Sequence, residues 1–173
     1  MRCLQRTRGE SRAAIWVLAA KRMPACSHAA NNLTSIPDDS SDWQLLPNGR
    51  GANQWDFSVA PGQAGGRGTF NCRYAPETKA TYNFTDSVAV VLAGNRWPDA
   101  HSYSITLDGA TTKLDATGSW DDGSTVIFAQ GGLDPKKQYT LEVVNYNEDD
   151  PNCKEENGAC CVSVDELLLL HVS

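Results

Sequence analysis

Two short stretches set a flat indole among groups that hydrogen-bond to hydroxyls: Asn95-Arg96-Trp97 with Asp99, and Trp120-Asp121-Asp122. An aromatic ring stacks on the apolar face of a sugar while Asp, Asn and Arg bond its hydroxyls. These seven residues therefore have the composition of a carbohydrate platform. The alternative for each Trp is to plug an end of a β-core with its indole N–H satisfied, and for Trp43 and Trp55, which fall on expected strands, the core role is the better reading. Catalysis is poorly represented. HExxH, GxSxG and GxxxxGK[ST] are all missing. Acid pairs of the kind glycosidases use fall in turns, and His101 reads as a surface or satisfied residue, so no catalytic residue is assigned.

The cysteines stand at 3, 26, 72, 153, 160 and 161. No pair has CxxC spacing, and a zinc site is not expected. With the first thirty residues set aside, the remaining four allow three complete pairings. Adjacent Cys160 and Cys161 point to opposite faces of a strand and would be strained if bonded to each other. The favoured pairing is Cys153 with Cys160 and Cys72 with Cys161. Asn32-Leu33-Thr34 and Asn83-Phe84-Thr85 are glycosylation sequons, the second on the polar side of a strand. Cysteines and sequons together point to an oxidising, extracellular setting and a secreted product.

The elements that must position these groups are strands. In Lys79 to Phe84 and again in Tyr103 to Asp108, apolar and polar residues alternate with period two, the pattern of a strand with one dry and one wet face. Val88 to Leu92 is continuously apolar and rich in β-branched residues, which reads as a buried strand. Asp108-Gly109 closes a hairpin through a type I′ turn. Further strands are expected at Trp43 to Leu46 on an edge, Trp55 to Val59, Gly68 to Tyr74, a buried Thr125 to Ala129, an alternating strand around Tyr139, Leu141 and Val143, and a last one from Val162 to Val172. Pro61 to Gly68 is a glycine-rich loop. Short strands with turn signals between them, and no helical stretch, describe an all-β antiparallel sandwich.

Length bounds this to one domain, residues 31–173, behind an N-terminal segment of residues 1–30. Six basic residues against Glu10 give the first 35 residues +5, so the chain's −6 requires −11 in the rest. An acidic body argues against nucleic acid or anionic membrane as partner. Ala13 to Ala20 is an apolar run near the lower limit of a signal-peptide core, followed awkwardly by Lys21-Arg22, and the alternative is a disordered terminus. No segment is long enough for a membrane-spanning helix.

The runs Ala80-Thr81-Tyr82-Asn83-Phe84-Thr85, Tyr103 to Gly109, Gly132-Leu133-Asp134-Pro135 before Tyr139-Thr140-Leu141, and Ser163 to Leu167 resemble, in order, the strands of galactose-binding-like jelly-roll domains. The likeness is to those of fungal secreted and cell-surface proteins, and covers roughly residues 36–172. It implies a non-catalytic module that recognises glycan or cell-wall polysaccharide through loops at one end. It also implies a structural calcium ion between an acidic N-terminal segment, here Asp38, Asp39 and Asp42, and an acid on the last strand, here Asp165 with Glu166 beside it. Clustered carboxylates suit calcium, which takes six to eight oxygens; the alternative is that Asp38 and Asp39 cap and solvate a turn. The competing function is a structural or protein-interaction sandwich with no sugar site.

Overall fold

The computed structural model describes residues 31–46, 55–58, 68–72, 74–96, 98, 100–118, 124–151, 153 and 160–172. The N-terminal segment, the glycine-rich loop and both indole-bearing loop tips lie outside them. All regular structure among the described residues is β. One sheet runs in the order β1 (Asn31–Pro37), β12 (Glu166–Val172), β6 (Ala89–Asn95) and β9 (Ser124–Gly131). A second runs β2 (Gln44–Leu46), β5 (Lys79–Phe84), β10 (Tyr139–Val144), β7 (Ser102–Leu107) and β8 (Ala110–Asp115). A small third sheet orders β11 (Val162–Val164), β4 (Gly68–Asn71) and β3 (Asp56–Ser58). Pairing is antiparallel throughout, and the chain crosses from sheet to sheet between β5 and β6, β6 and β7, β8 and β9, and β9 and β10. This is a jelly-roll sandwich.

Period-two alternation does the building. Ala80, Tyr82 and Phe84 of β5, Tyr103, Ile105 and Leu107 of β7, and Tyr139, Leu141 and Val143 of β10 are all buried and face Val90, Leu92, Leu167 and Leu169 of the other sheet. Each of the Val, Leu, Ile and Phe side chains among them contributes about 1.5–3 kcal/mol on burial. Phe84 stacks on Tyr139 with ring centroids 5.6 Å apart, and Trp43 tilts against Tyr82 at 5.1 Å. Trp43 donates its indole N–H to the Pro37 carbonyl at 3.2 Å, and Trp55 is fully enclosed, so both are core residues. Burial pushes the Tyr103 phenol up, and its hydroxyl donates to the Ile127 carbonyl at 3.0 Å, tying the two large sheets together. At the β7–β8 hairpin Asp108 and Gly109 take φ values of 52° and 82°, as a type I′ turn requires.

Three expectations about strands change, and one strand that was not expected is added. The polar stretch at residues 31–37 is β1, paired along its whole length with β12. Thr125 to Ala129 belongs to an edge strand, not a buried one, and Val126 is 60% exposed. The run from Val88 is buried on one side only: Val90 and Leu92 point inward while Val91 is half-buried on the outer face. The last strand breaks at Asp165 into β11 and β12, which belong to different sheets.

Candidate loop-end site and buried carboxylate pair

The break at Asp165 places a carboxylate where the small sheet meets the four-stranded one. Its amide N–H donates to the Ala93 carbonyl at 2.9 Å, and its own carbonyl accepts from the Asp38 amide at 3.1 Å. Asp38 is only 6% exposed, and its carboxylate accepts from the Thr69 hydroxyl at 2.7 Å. Two carboxyl-bearing residues from opposite ends of the domain are thereby joined through their backbones, near enough for Asp165 to sense the Asp38 charge. Burial is the main force raising the Asp165 carboxyl to about 6, with the Asp38 charge adding and the Ser124 and Ser163 hydroxyls opposing.

Asn95, expected to face a ligand, belongs to this cluster instead. It is 1% exposed, its amide nitrogen reaches Asp165 Oδ1 at 3.4 Å, and its backbone N–H donates to the Ser163 hydroxyl. Its packing depends on Gly94, where a Cβ would stand 2.5 Å from the Ser163 carbonyl oxygen. Asn95 Oδ1 and Asp165 Oδ2 are both buried without a hydrogen-bond partner. Two buried oxygen acceptors without a partner, near the Asp38 carboxylate whose charge Asp165 senses, are of the donor type a hard cation takes. Asp39 and Asp42, expected in the same site, are exposed. The Asp42 amide is engaged by Ser40 in the turn after β1.

Arg96 is half-buried, and its guanidinium donates to the Thr117 carbonyl at 2.7 Å. Opposite it, Asn95 pairs with Ser124 across β6 and β9. The connection that follows β6 and the one that follows β8 therefore leave the same end of the sandwich, stitched together at their roots. Trp97, Asp99, Trp120, Asp121 and Asp122 sit on those two connections and lie outside the described residues. Thr117 is the residue that sequence reasoning missed here, because a carbonyl leaves no signature in a sequence.

Cys72 is bonded to Cys161 and Cys153 to Cys160. The first joins the end of β4 to the start of β11, and the second lies in a small cluster with Tyr74 and Tyr146. Both sequon asparagines, Asn32 and Asn83, are exposed, and the Asn83 amide oxygen accepts from the Thr140 hydroxyl at 2.7 Å.

No protein family and no characterised protein matches the chain by sequence. Solved structures do resemble it. A two-domain esterase active on acetylated mannans superposes with a TM-score of 0.51 at 11% identity, over 82% of this chain and 37% of that one. The CBM36-1 domain of a multidomain xylanase from the hindgut metagenome of Trinervitermes trinervoides gives 0.48 at 16% identity, over 82% of this chain and 98% of that one. A family two carbohydrate esterase from Cellvibrio japonicus gives 0.49 at 9%, over 83% of this chain and 35% of that one. The chain thus spans about a third of either esterase and nearly the whole CBM36-1 domain. At these identities the likeness is one of fold: this chain has the β-sandwich architecture found in domains of carbohydrate-active proteins.

Proposed function

We propose that this domain is a non-catalytic, extracellular carbohydrate-binding module that grips glycan or cell-wall polysaccharide with the two connections rooted at Arg96 and Thr117. The observation that carries this reading is the 2.7 Å bond between those residues. It ties the end of β6 to the end of β8, the points from which the chain runs on to Trp97 and Asp99 and to Trp120, Asp121 and Asp122. Two indoles with neighbouring carboxylates are the chemistry that stacks on sugar rings and bonds their hydroxyls. Arg96 and Asn95 act behind them, as the tie and the anchor.

A structural calcium ion held by Asp38, Asp165 and the Asn95 amide oxygen belongs to the same reading. The ion would neutralise two neighbouring carboxylates and fasten the start of the domain to its last strand. The two disulfides and exposed Asn32 and Asn83 fit secretion and glycosylation at those residues. An array of glycans and cell-wall polysaccharides, acetylated mannan among them, probed with and without chelator, tests the binding reading. Retention of at least one polysaccharide supports it, and none under either condition refutes it.

One observation favours the alternative of a protein-interaction module. The outer face of the four-stranded sheet is largely apolar: Leu33, Leu170 and Ala89 lie in one cross-strand row, and Leu168, Val91 and Ala129 in the next, with Ser35 at that row's edge and Glu166 beyond it. Leu33 is 62% exposed. Among the described residues that face carries no aromatic ring on which a sugar could stack, and its leucines suit a protein surface better.

A further inference from the structure

The Cys153–Cys160 disulfide has a histidine beside it. A ring nitrogen of His101 and the two sulfur atoms all lie within 4.8 Å of one another, and among the described residues no other three His, Cys or acidic side chains converge in this way. We propose that His101, Cys153 and Cys160 form a redox-gated site for a thiophilic divalent metal, zinc above all, which comes into being when the Cys153–Cys160 bond is reduced. The inference is independent of sugar binding.

A tetrahedral zinc ion holds sulfur at about 2.3 Å and nitrogen at about 2.0 Å, which sets its donors roughly 3.5–3.8 Å apart. Reduction lets the two sulfurs separate to that spacing without moving His101 far. Cysteine spacing gave no hint of the site, because the third ligand arrives through the fold. His101 precedes β7 at a φ of 52° and is pinned there by its carbonyl, which accepts from the Ala116 N–H at 3.0 Å. Both cysteines are buried, 4% and 2% exposed, against Tyr74 and Tyr146. The surrounding charge suits a cation. The Asp115 carboxyl, held low mainly by its hydrogen bonds to Thr117, also senses His101, and the Asp150 carboxylate accepts the neighbouring Ser102 N–H at 3.2 Å. Negative charge close to the histidine favours a bound cation.

The chemistry balances with a water-soluble phosphine as reductant. Phosphorus takes the oxygen of one water and becomes the phosphine oxide, the S–S bond accepts two electrons, and the two protons of that water complete the thiols. The metal then displaces both thiol protons, binds His101 as neutral imidazole, and keeps water in its fourth position.

The test is an anaerobic cobalt titration of the phosphine-reduced full chain, read by absorbance with the near-ultraviolet circular dichroism followed in parallel. One equivalent of cobalt with a thiolate-to-metal charge-transfer band, displaced by zinc and also present in the reduced Cys72→Ser/Cys161→Ser variant, is the expected result. His101→Ala weakens it by more than about tenfold, the least that disturbing a metal ligand's own support costs. A band unchanged in His101→Ala, or one lost in Cys72→Ser/Cys161→Ser, overturns the proposal. So does a reduced chain that loses its native near-ultraviolet spectrum and fails to regain it on adding zinc.

Discussion

Asp165 concentrates the electrostatics of the domain in one side chain. Its carboxyl is raised from 3.8 to about 6 chiefly by burial, so the folded chain holds a proton there that the unfolded chain has lost anywhere between those two values. Where the native state binds more protons, stability falls as pH rises. This group's contribution is therefore most favourable below about pH 4, declines through the window up to about 6, and stays low above it. The proposed calcium ion would reverse the situation above pH 6, since a cation stabilises the ionised carboxylates that the proton otherwise relieves. The thermal midpoint in chelator should show this fall from pH 4 to pH 7, Asp165→Asn should flatten it, and added calcium should raise the midpoint at pH 7.5 while doing little at pH 4.5. No calcium effect at pH 7.5 would remove the ion from the account. At Asn83, an exposed amide on the wet face of β5, secretion from a eukaryotic host should add a glycan that Asn83→Gln abolishes, read as an endoglycosidase-sensitive shift on a gel.

At the scale of elements, the close approach of β6 to β11 is the tightest constraint. A Cβ at Gly94 would lie 2.5 Å from the Ser163 carbonyl oxygen and 2.8 Å from the Ile127 side chain. Backbone cannot swing aside as a flexible side chain can, so Gly94→Ala should cost at least about 1–3 kcal/mol in urea unfolding. The two disulfides constrain the unfolded chain unequally. Cys72–Cys161 spans 89 residues against 7 for Cys153–Cys160. The chain-entropy relation gives about 4–5 and about 2–3 kcal/mol respectively. Replacing the first pair by serine should therefore lower the midpoint further than replacing the second. The strands β5, β7 and β10 were legible from sequence because each buries one side and wets the other. β9 was legible as a strand but not as an edge one, since a run of apolar residues looks the same at an edge with an apolar outer face as in a sheet's interior. β1 escaped notice because only Ile36 among its apolar residues reaches the core, while Leu33 faces out. The site followed the same logic. The closeness of Asp38 and Asp165 was suggested only by resemblance, and the burial of Asn95 depends on Ser163, which no local pattern connects to it.

Across the whole molecule, the two outer faces differ in character. The five-stranded sheet shows Thr81, Glu142, Thr106 and Thr111 in one row, with Lys79 paired to Glu142 at 2.7 Å. The four-stranded sheet shows mostly leucine, valine and alanine, with Ser35 and Glu166 toward one end. Among the described residues neither face carries a row of rings, and the proposed sugar site is therefore put at the end of the sandwich where Arg96 meets Thr117. The most direct measurement is calorimetry of the intact domain and the Trp97→Ala/Trp120→Ala variant against the strongest polysaccharide from the array, with melts to verify folding. Binding by the intact domain that vanishes in the variant at an unchanged midpoint is the result expected. Binding that survives loss of both indoles would contradict a recognition site at this end of the sandwich.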